Sequence, residues 1–342
     1  MGTAITELLE PQLISIKDLQ GKIVAVDSFN MLYQFLTTIR QRDGTPLKDS
    51  KGRITSHLIG LFNRTIKFLQ EGVKPVFVFD GKPPALKAKE RLRRKELKIE
   101  ALKQYEQAVE EEDVEEMKKY ASRTSRLTPE MVEEAKELLI ALGLPVVQAP
   151  SEGEAQAAHM VAQGDCYAVV SQDADSLVFG ATRVVRNLSV SQRRKKAGTL
   201  TYTTVQPELI LLSEVLNRLQ LSQDQLIIIS ILVGTDYNYG GVKGIGPKKA
   251  LQLVRKYPND FEAIFSEVKW KELWDVGWEE IYTVIKKMPV IDSYRLEWKQ
   301  IDVEQVVELL VEKHDFSQAR VESSLKRFEK EDKEQKGLGE FF

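Results

Sequence analysis

Four short apolar runs constrain this chain more than any other feature: "KIVAVD" ending at Asp27, "KPVFVFD" ending at Asp80, "LPVVQAPS" ending at Ser151 and "CYAVVSQD" ending at Asp173. They are rich in β-branched residues and do not alternate polar with apolar. Helical stretches such as "SHLIGLFNRTIKFLQEG" and "PEMVEEAKELLIALG" separate them. Unalternating runs joined by helices are the pattern of parallel strands buried on both faces, so the sequence predicts an α/β fold with a mostly parallel central sheet and helices on both faces. Each run ends in, or just before, carboxylates: Asp27, Asp80, the pair Glu152 and Glu154, and the pair Asp173 and Asp175. Binding crevices of such sheets lie beyond the carboxyl ends of the strands, so these acids should meet in one cleft. Asp236, in "VGTDYN" after the apolar helix "QLIIISILVG", is placed to close the ring.

Local preference alone offers a plainer account of one pair. Ser151 and Glu154 fit a capping box, worth about 1 kcal/mol. That explains Glu154 but leaves Asp173 and Asp175 unaccounted for. Two carboxylates about 5 Å apart repel by roughly 3 kcal/mol at an effective dielectric of about 20, so several such pairs outweigh one cap unless protons or cations neutralise them. Oxygen donors without histidine or cysteine nearby select hard cations such as magnesium or manganese. Residues two apart do not share a helix face, so Glu152 and Glu154 need an irregular first turn, which Gly153 permits.

Bulk charge does not announce a partner: 49 Lys and Arg oppose 51 acids for a net −2. Charge is segregated instead. From Lys82 to Lys103, "KPPALKAKERLRRKELKIEALK" is strongly basic, and "EQAVEEEDVEE" after Tyr105 is strongly acidic. This region has no Gly or Pro after Pro84 and few apolar residues, which predicts one or two long helices standing away from the core. A lone Cys166 excludes an intramolecular disulfide and suits a reducing compartment. No stretch is long and apolar enough to imply a membrane span or signal peptide. In "GVKGIGPKKA", Gly244 and Gly246 permit a tight turn and Pro247 suits the first position of a helix. A phosphate can dock at that helix start beside Lys243, Lys248 and Lys249.

The stretches "VDSFNMLYQFL", "VFVFDGKPPALK", "APSEGEAQAA", "SQDADSLVFG" and "GTDYNYGGVKGIGPKKA", in that order from Val26 to Ala250, resemble the structure-specific 5′ nucleases, and most closely the flap endonucleases. The resemblance implies that Asp27, Asp80, Glu152, Glu154, Asp173, Asp175 and Asp236 hold two magnesium ions, with manganese as a substitute. Lys87 and Arg94 match the family's active-site cations at the base of a helical arch, here about 82–125. Tyr33 matches an aromatic on which a substrate base stacks, with a core tyrosine as the alternative. Arg40 and Arg64 match DNA-backbone contacts, with surface salt bridging as the alternative. Lys243, Gly244, Gly246, Lys248 and Lys249 fall in a helix–two-turn–helix region, about 222–258, that grips duplex DNA and holds a potassium ion. Two stretches depart from the pattern: Thr3 and Ala4 differ from the usual apolar third residue, and Tyr239 stands where many relatives have another loop residue.

The expected activity is divalent-metal-dependent cleavage of 5′ flaps at single-strand/duplex junctions, in Okazaki fragment maturation and base-excision repair, with 5′–3′ exonuclease activity. An excision-repair or 5′-exonuclease relative is one alternative. A non-catalytic scaffold for DNA and clamp is another, disfavoured because a scaffold need not sustain the repulsion of seven acids. The end of the chain, "QKGLGEFF", carries Gln335, Leu338, Phe341 and Phe342 at the spacing by which flap endonucleases bind the DNA sliding clamp (PCNA). The expected layout is a nuclease domain over 1–330 and a flexible clamp-binding tail over 331–342. A chain that ends at this motif, without a basic extension, is expected to be archaeal and cytoplasmic (nuclear in a eukaryote). The protein is expected to be a monomer.

Overall fold

The unalternating runs are strands of one sheet. The computed structural model describes residues 5–111, 113–121, 123–188, 193–195 and 202–339. Its strands are β1 (Gln12–Leu13), β2 (Ile23–Asp27), β3 (Lys74–Phe79), β4 (Val146–Gln148), β5 (Ala168–Val170), β6 (Arg183–Arg186), β7 (Arg193–Lys195), β8 (Tyr202–Thr204) and β9 (Glu208–Leu211). Seven of them form one sheet in the order β1-β9-β6-β5-β2-β3-β4, while β7 and β8 pair as a separate ribbon. From β6 to β4 all neighbours run parallel, and β9 and β1 add antiparallel strands at one edge. The central register sets Val26 beside Phe77 and Val170.

Helices cover both faces, which is why these strands show no alternation in hydrophobicity. In chain order they are α1 (Ser28–Thr38), α2 (Ser56–Gln70), α3 (Ala88–Glu110), α4 (Val114–Ala121) and α5 (Pro129–Ala141). Next come α6 (Gly153–Ala162), α7 (Asp175–Val178), α8 (Leu212–Leu219), α9 (Gln223–Val233) and α10 (Pro247–Lys256). The last five are α11 (Phe261–Glu267), α12 (Trp270–Leu273), α13 (Trp278–Lys286), α14 (Val303–Val307) and α15 (Gln318–Gly339). Alternate strand residues feed two cores. Val24, Val26, Phe77 and Phe79 pack with α1, α2, α5, α14 and α15, while Ala25, Val76, Val78 and Val169 pack with α6 to α13. The seven residues Leu226 to Leu232 of α9 are all buried, six of them apolar, so that stretch of helix is enclosed on every side.

The charged region becomes α3 and α4, which pack on each other. Only Glu90, Ala101 and Ala108 of the 23 residues in α3 are buried, so little apolar burial holds this hairpin to the body. Among the described residues no helix is long and apolar enough to cross a membrane. The last helix, α15, continues past 331 to Gly339. Its sequence has no proline and is rich in Lys, Glu and Gln, all good helix formers, with Lys326 paired to Glu322 at 3.2 Å. Gln335 and Leu338 lie in its last turns, and Phe341 and Phe342 lie outside the described residues.

Candidate active site

Each acid is delivered by the end of a strand or the start of a helix. Asp27 ends β2 and caps α1, its Oδ1 accepting the Asn30 N–H at 3.0 Å. Asn30, one turn on, donates through Nδ2 to Asp173 Oδ2 at 2.9 Å. Ser171, just after β5, places its hydroxyl 3.2 Å from both Asp27 Oδ2 and Glu154 Oε1. Asp80 follows β3 and accepts the Gly153 N–H at 2.7 Å. A Cβ on residue 153 would lie 2.7 Å from that same carboxylate oxygen, so only glycine lets Asp80 reach the start of α6. The capping box read from Ser151 and Glu154 does not form. Ser151 donates to the Lys82 carbonyl at 3.0 Å, Glu152 occupies the cap position, and it makes no side-chain cap bond. Asp175 opens α7. Asp236 follows Gly234, whose φ of +116° starts a loop tied by Thr235 Oγ1 to Asn238 at 2.6 Å.

All seven acids line one cleft of about 760 Å3, together with Lys87, Arg94 and Tyr33. Arg93, Leu97, Lys98, Ala101 and Gln104 of α3, with Tyr120 and Arg123 at the end of α4 and just beyond, form its roof. Crowding leaves an electrostatic mark. Burial, then the charges of Asp80 and Asp173, push the Asp27 carboxyl up to about 7. Burial and the charge of Glu152 push Asp80 up to about 6. Glu154 is raised well above the usual carboxylate range by burial and by Asp175, Asp27 and Asp173. Such a set demands cations.

Two are supplied by α3 and the turn before it. Lys87 Nζ pairs with Glu152 and lies 3.1 Å from Asp236 Oδ2. Burial opposes its charge, but Glu152 and Asp236 outweigh burial and raise its pKa. Arg94 reaches Asp236 Oδ1 at 2.5 Å. Among the described residues no three acidic, histidine or cysteine groups converge as a finished metal-ligand set, and Glu152 and Asp236 are engaged by these cations. The donor chemistry still suits hard divalent ions: carboxylate oxygens only, buried, and mutually repelling.

Other candidate residues divide. Tyr33 faces the cleft, its ring centroid 5.0 Å from Lys98 Nζ, and is not a core tyrosine. Arg40 bonds internally to the Gly44 carbonyl at 2.7 Å and to Ser125, and Arg64 bonds the Leu188 carbonyl at 3.4 Å. Neither lines the cleft, and among the described residues neither has a salt-bridge partner. Lys243, Lys248 and Lys249 are exposed around a turn in which Gly244 has φ +81° and Gly246 caps α10 ahead of Pro247. Sequence reading missed Asn30, Ser171, Glu90, Arg93 and Tyr237. Asn30 was accessible as the residue one helical turn beyond Asp27, and Glu90 as the i, i+3 and i, i+4 partner of Arg93 and Arg94. Tyr237, whose ring centroid lies 5.9 Å from Lys87 Nζ, had no local signal.

This fold and cleft place the chain in a nuclease class whose models match it twice: an XPG N-terminal domain over residues 3–101 and an XPG I-region over 143–236. Flap endonuclease 1 of Pyrococcus abyssi is 51% identical over 330 residues, covering 96% of this chain and 94% of its own. Flap endonuclease 1 of Thermofilum pendens is also 51% identical, covering 96% and 95%. The chain belongs to the flap endonuclease family and is a DNA-hydrolysing nuclease. The solved structure of flap endonuclease-1 from Methanococcus jannaschii superposes with a TM-score of 0.77 at 44% identity, over 98% of this chain and all of that one. The catalytic core of Rad2, solved with a DNA substrate, shares the fold at 22% identity, with a TM-score of 0.66 over 95% of this chain and 97% of its own.

Proposed function

We propose that this enzyme cuts 5′ flaps at single-strand/duplex DNA junctions, during Okazaki fragment maturation and base-excision repair, and also trims 5′ ends as an exonuclease. The observation that carries the reading is the crowding of seven carboxylates in one cleft under a basic helical hairpin. Asp27, Asp80, Glu152, Glu154, Asp173, Asp175 and Asp236 would hold two magnesium ions, with manganese able to substitute. Such ions, when bound, supply an activated water and stabilise the departing oxygen of a phosphodiester.

The protein's own groups do the positioning. Asn30 and Ser171 orient Asp173 and Asp27. Lys87 and Arg94 exchange their carboxylate partners for the scissile phosphate, where fixed positive charge stabilises the transition state. Tyr33 offers a ring for the terminal base to stack on, and α3 and α4 form the arch over the flap. The turn at Gly244 and the start of α10 grip the duplex with a potassium ion, and Arg40 and Arg64, outside the cleft, meet the DNA backbone further along. Incubation in magnesium with labelled flap, nicked, bubble and plain duplex substrates tests the reading. Rapid cutting confined to the 5′ flap is expected, and preferential bubble cutting would assign the enzyme to excision repair instead.

Replacing Lys248 and Lys249 by alanine should weaken binding to all duplex-containing substrates alike. Each lost phosphate contact lowers the slope of log affinity against log salt by about one. An unaltered slope would remove the turn from the DNA footprint. At the chain end, Leu338, Phe341 and Phe342 would supply an apolar plug to the sliding clamp, with Gln335 as its hydrogen-bonding partner. The protein then works as a monomer tethered to the clamp in an archaeal cytoplasm. Phe341→Ala/Phe342→Ala is expected to abolish clamp stimulation and clamp binding by calorimetry while clamp-free cleavage stays unchanged. Full clamp affinity in the double variant would exclude the tail as the tether.

A further inference from the structure

Tyr239 has a partner that its sequence context does not suggest. It lies in the loop between Asp236 and the Gly244 turn and is 48% exposed. Even so, the Arg93 guanidinium carbon sits 3.5 Å from its ring centroid, the shortest such approach among the described residues. Arg93 is itself clamped. Its Nε and Nη2 donate to the two oxygens of Glu90 at 2.7 and 2.9 Å. Glu90 is the one charged residue among the three that α3 buries, and its Oε1 also accepts from Arg94 Nε at 2.6 Å. The other arm of Arg94 ends on Asp236.

The contacts close a ring, Tyr239–Arg93–Glu90–Arg94–Asp236, whose two ends lie in one loop. We infer that Tyr239 is a positioning residue: by stacking on Arg93 it docks the base of α3 onto the loop that carries Asp236, and through Glu90 it sets Arg94 over the cleft. The inference rests on the flap-cleavage reading. Between Ala88 and Leu97 the helix buries nothing except Glu90, so no apolar packing fixes its height there. When Arg94 leaves Asp236 for a phosphate, the Tyr239–Arg93 stack is the contact of the ring that still joins helix to loop. At exposed sites a guanidinium on an aromatic ring is worth at least as much as a surface ion pair, so the stack can hold helix to loop by itself.

The test is a double-mutant cycle of Tyr239→Leu and Arg93→Ala, read by single-turnover cleavage of a 5′-flap substrate and by flap affinity in calcium. Tyr239→Leu is expected to slow cleavage about tenfold, the rate equivalent of one cation–π contact, with affinity unchanged. The double variant should be no slower than Arg93→Ala alone, and Tyr239→Phe, which keeps the ring, should cut at the wild-type rate. Additive losses, an unslowed Tyr239→Leu, or weaker affinity at an unchanged rate would each overturn the inference, the last making Tyr239 a DNA contact. If Tyr239→Leu fails to fold, Tyr239→His against the same Arg93→Ala partner decides it by the same criterion. A wild type that cuts no flap overturns the functional reading instead. In that case the same cycle read by urea unfolding, coupled or additive, decides whether the stack holds helix to loop.

Discussion

Asp27→Ala and Asp173→Ala are expected to lose flap cleavage by on the order of 1,000-fold or more, beyond the roughly 10- to 100-fold typical of residues that only orient a metal ligand. Folding should survive both changes. Asp27 caps α1, and losing a cap costs about 1 kcal/mol. Against that stands the repulsion that burial, Asp80 and Asp173 impose on it, seen in a carboxyl pushed up to about 7. Removing one member of a buried like-charge group relieves roughly as much as the cap provided. Melting temperatures in chelator should therefore match or exceed the wild type. Affinity for flap DNA should also persist, since the Gly244 turn and its lysines lie outside the cleft lining. Turnover near the wild-type rate in either variant, at ordinary magnesium concentrations, would sink the metal assignment.

How far the sequence could be read follows from which interactions are local. Buried parallel strands carry their own signature, and β2, β3, β4 and β5 all fall within the four apolar runs. The acids after them were legible for the same reason, because sheet geometry alone sends consecutive strand ends to one side. Strand β1, Gln12–Leu13, was invisible. It is too short for any periodicity, is exposed, and exists only through its pairing with β9, far along the chain. The Ser151 capping box failed on competition: a tertiary acceptor, the Lys82 carbonyl, took the hydroxyl that local spacing assigned to Glu154's helix. The internal contacts of Arg40 were not legible either: its fork donates to the Gly44 carbonyl and to Ser125, partners that become visible only when the chain has folded. The charged stretch is expected to stand away from the core, which holds for Lys95 and Glu96 but not for the buried Glu90. A carboxylate buried between two arginines looks the same in sequence as one facing water.

Lys87→Ala and Arg94→Ala should slow the chemical step by about 100- to 1,000-fold while changing DNA affinity little, as expected for preorganised positive charge that acts in the transition state. The surroundings of both cations support this reading. Lys87 is 18% exposed and held charged by Glu152 and Asp236 in spite of burial, so it is unsuited to take up or release a proton near neutral pH. Arg94 is held by Glu90 on one side and Asp236 on the other. Arg94→Lys keeps the charge but cannot bridge Glu90 and Asp236 with a planar fork, so it should recover only part of the rate. Magnesium titration separates this role from metal binding. Deleting a cation beside Glu152 and Asp236 strengthens their pull on divalent ions, so the variants should saturate at equal or lower magnesium and remain slow at saturation. A rate restored by excess magnesium would instead mean that Lys87 and Arg94 support the metals rather than the phosphate, and an unchanged single-turnover rate with poorer affinity would reduce them to ordinary backbone contacts.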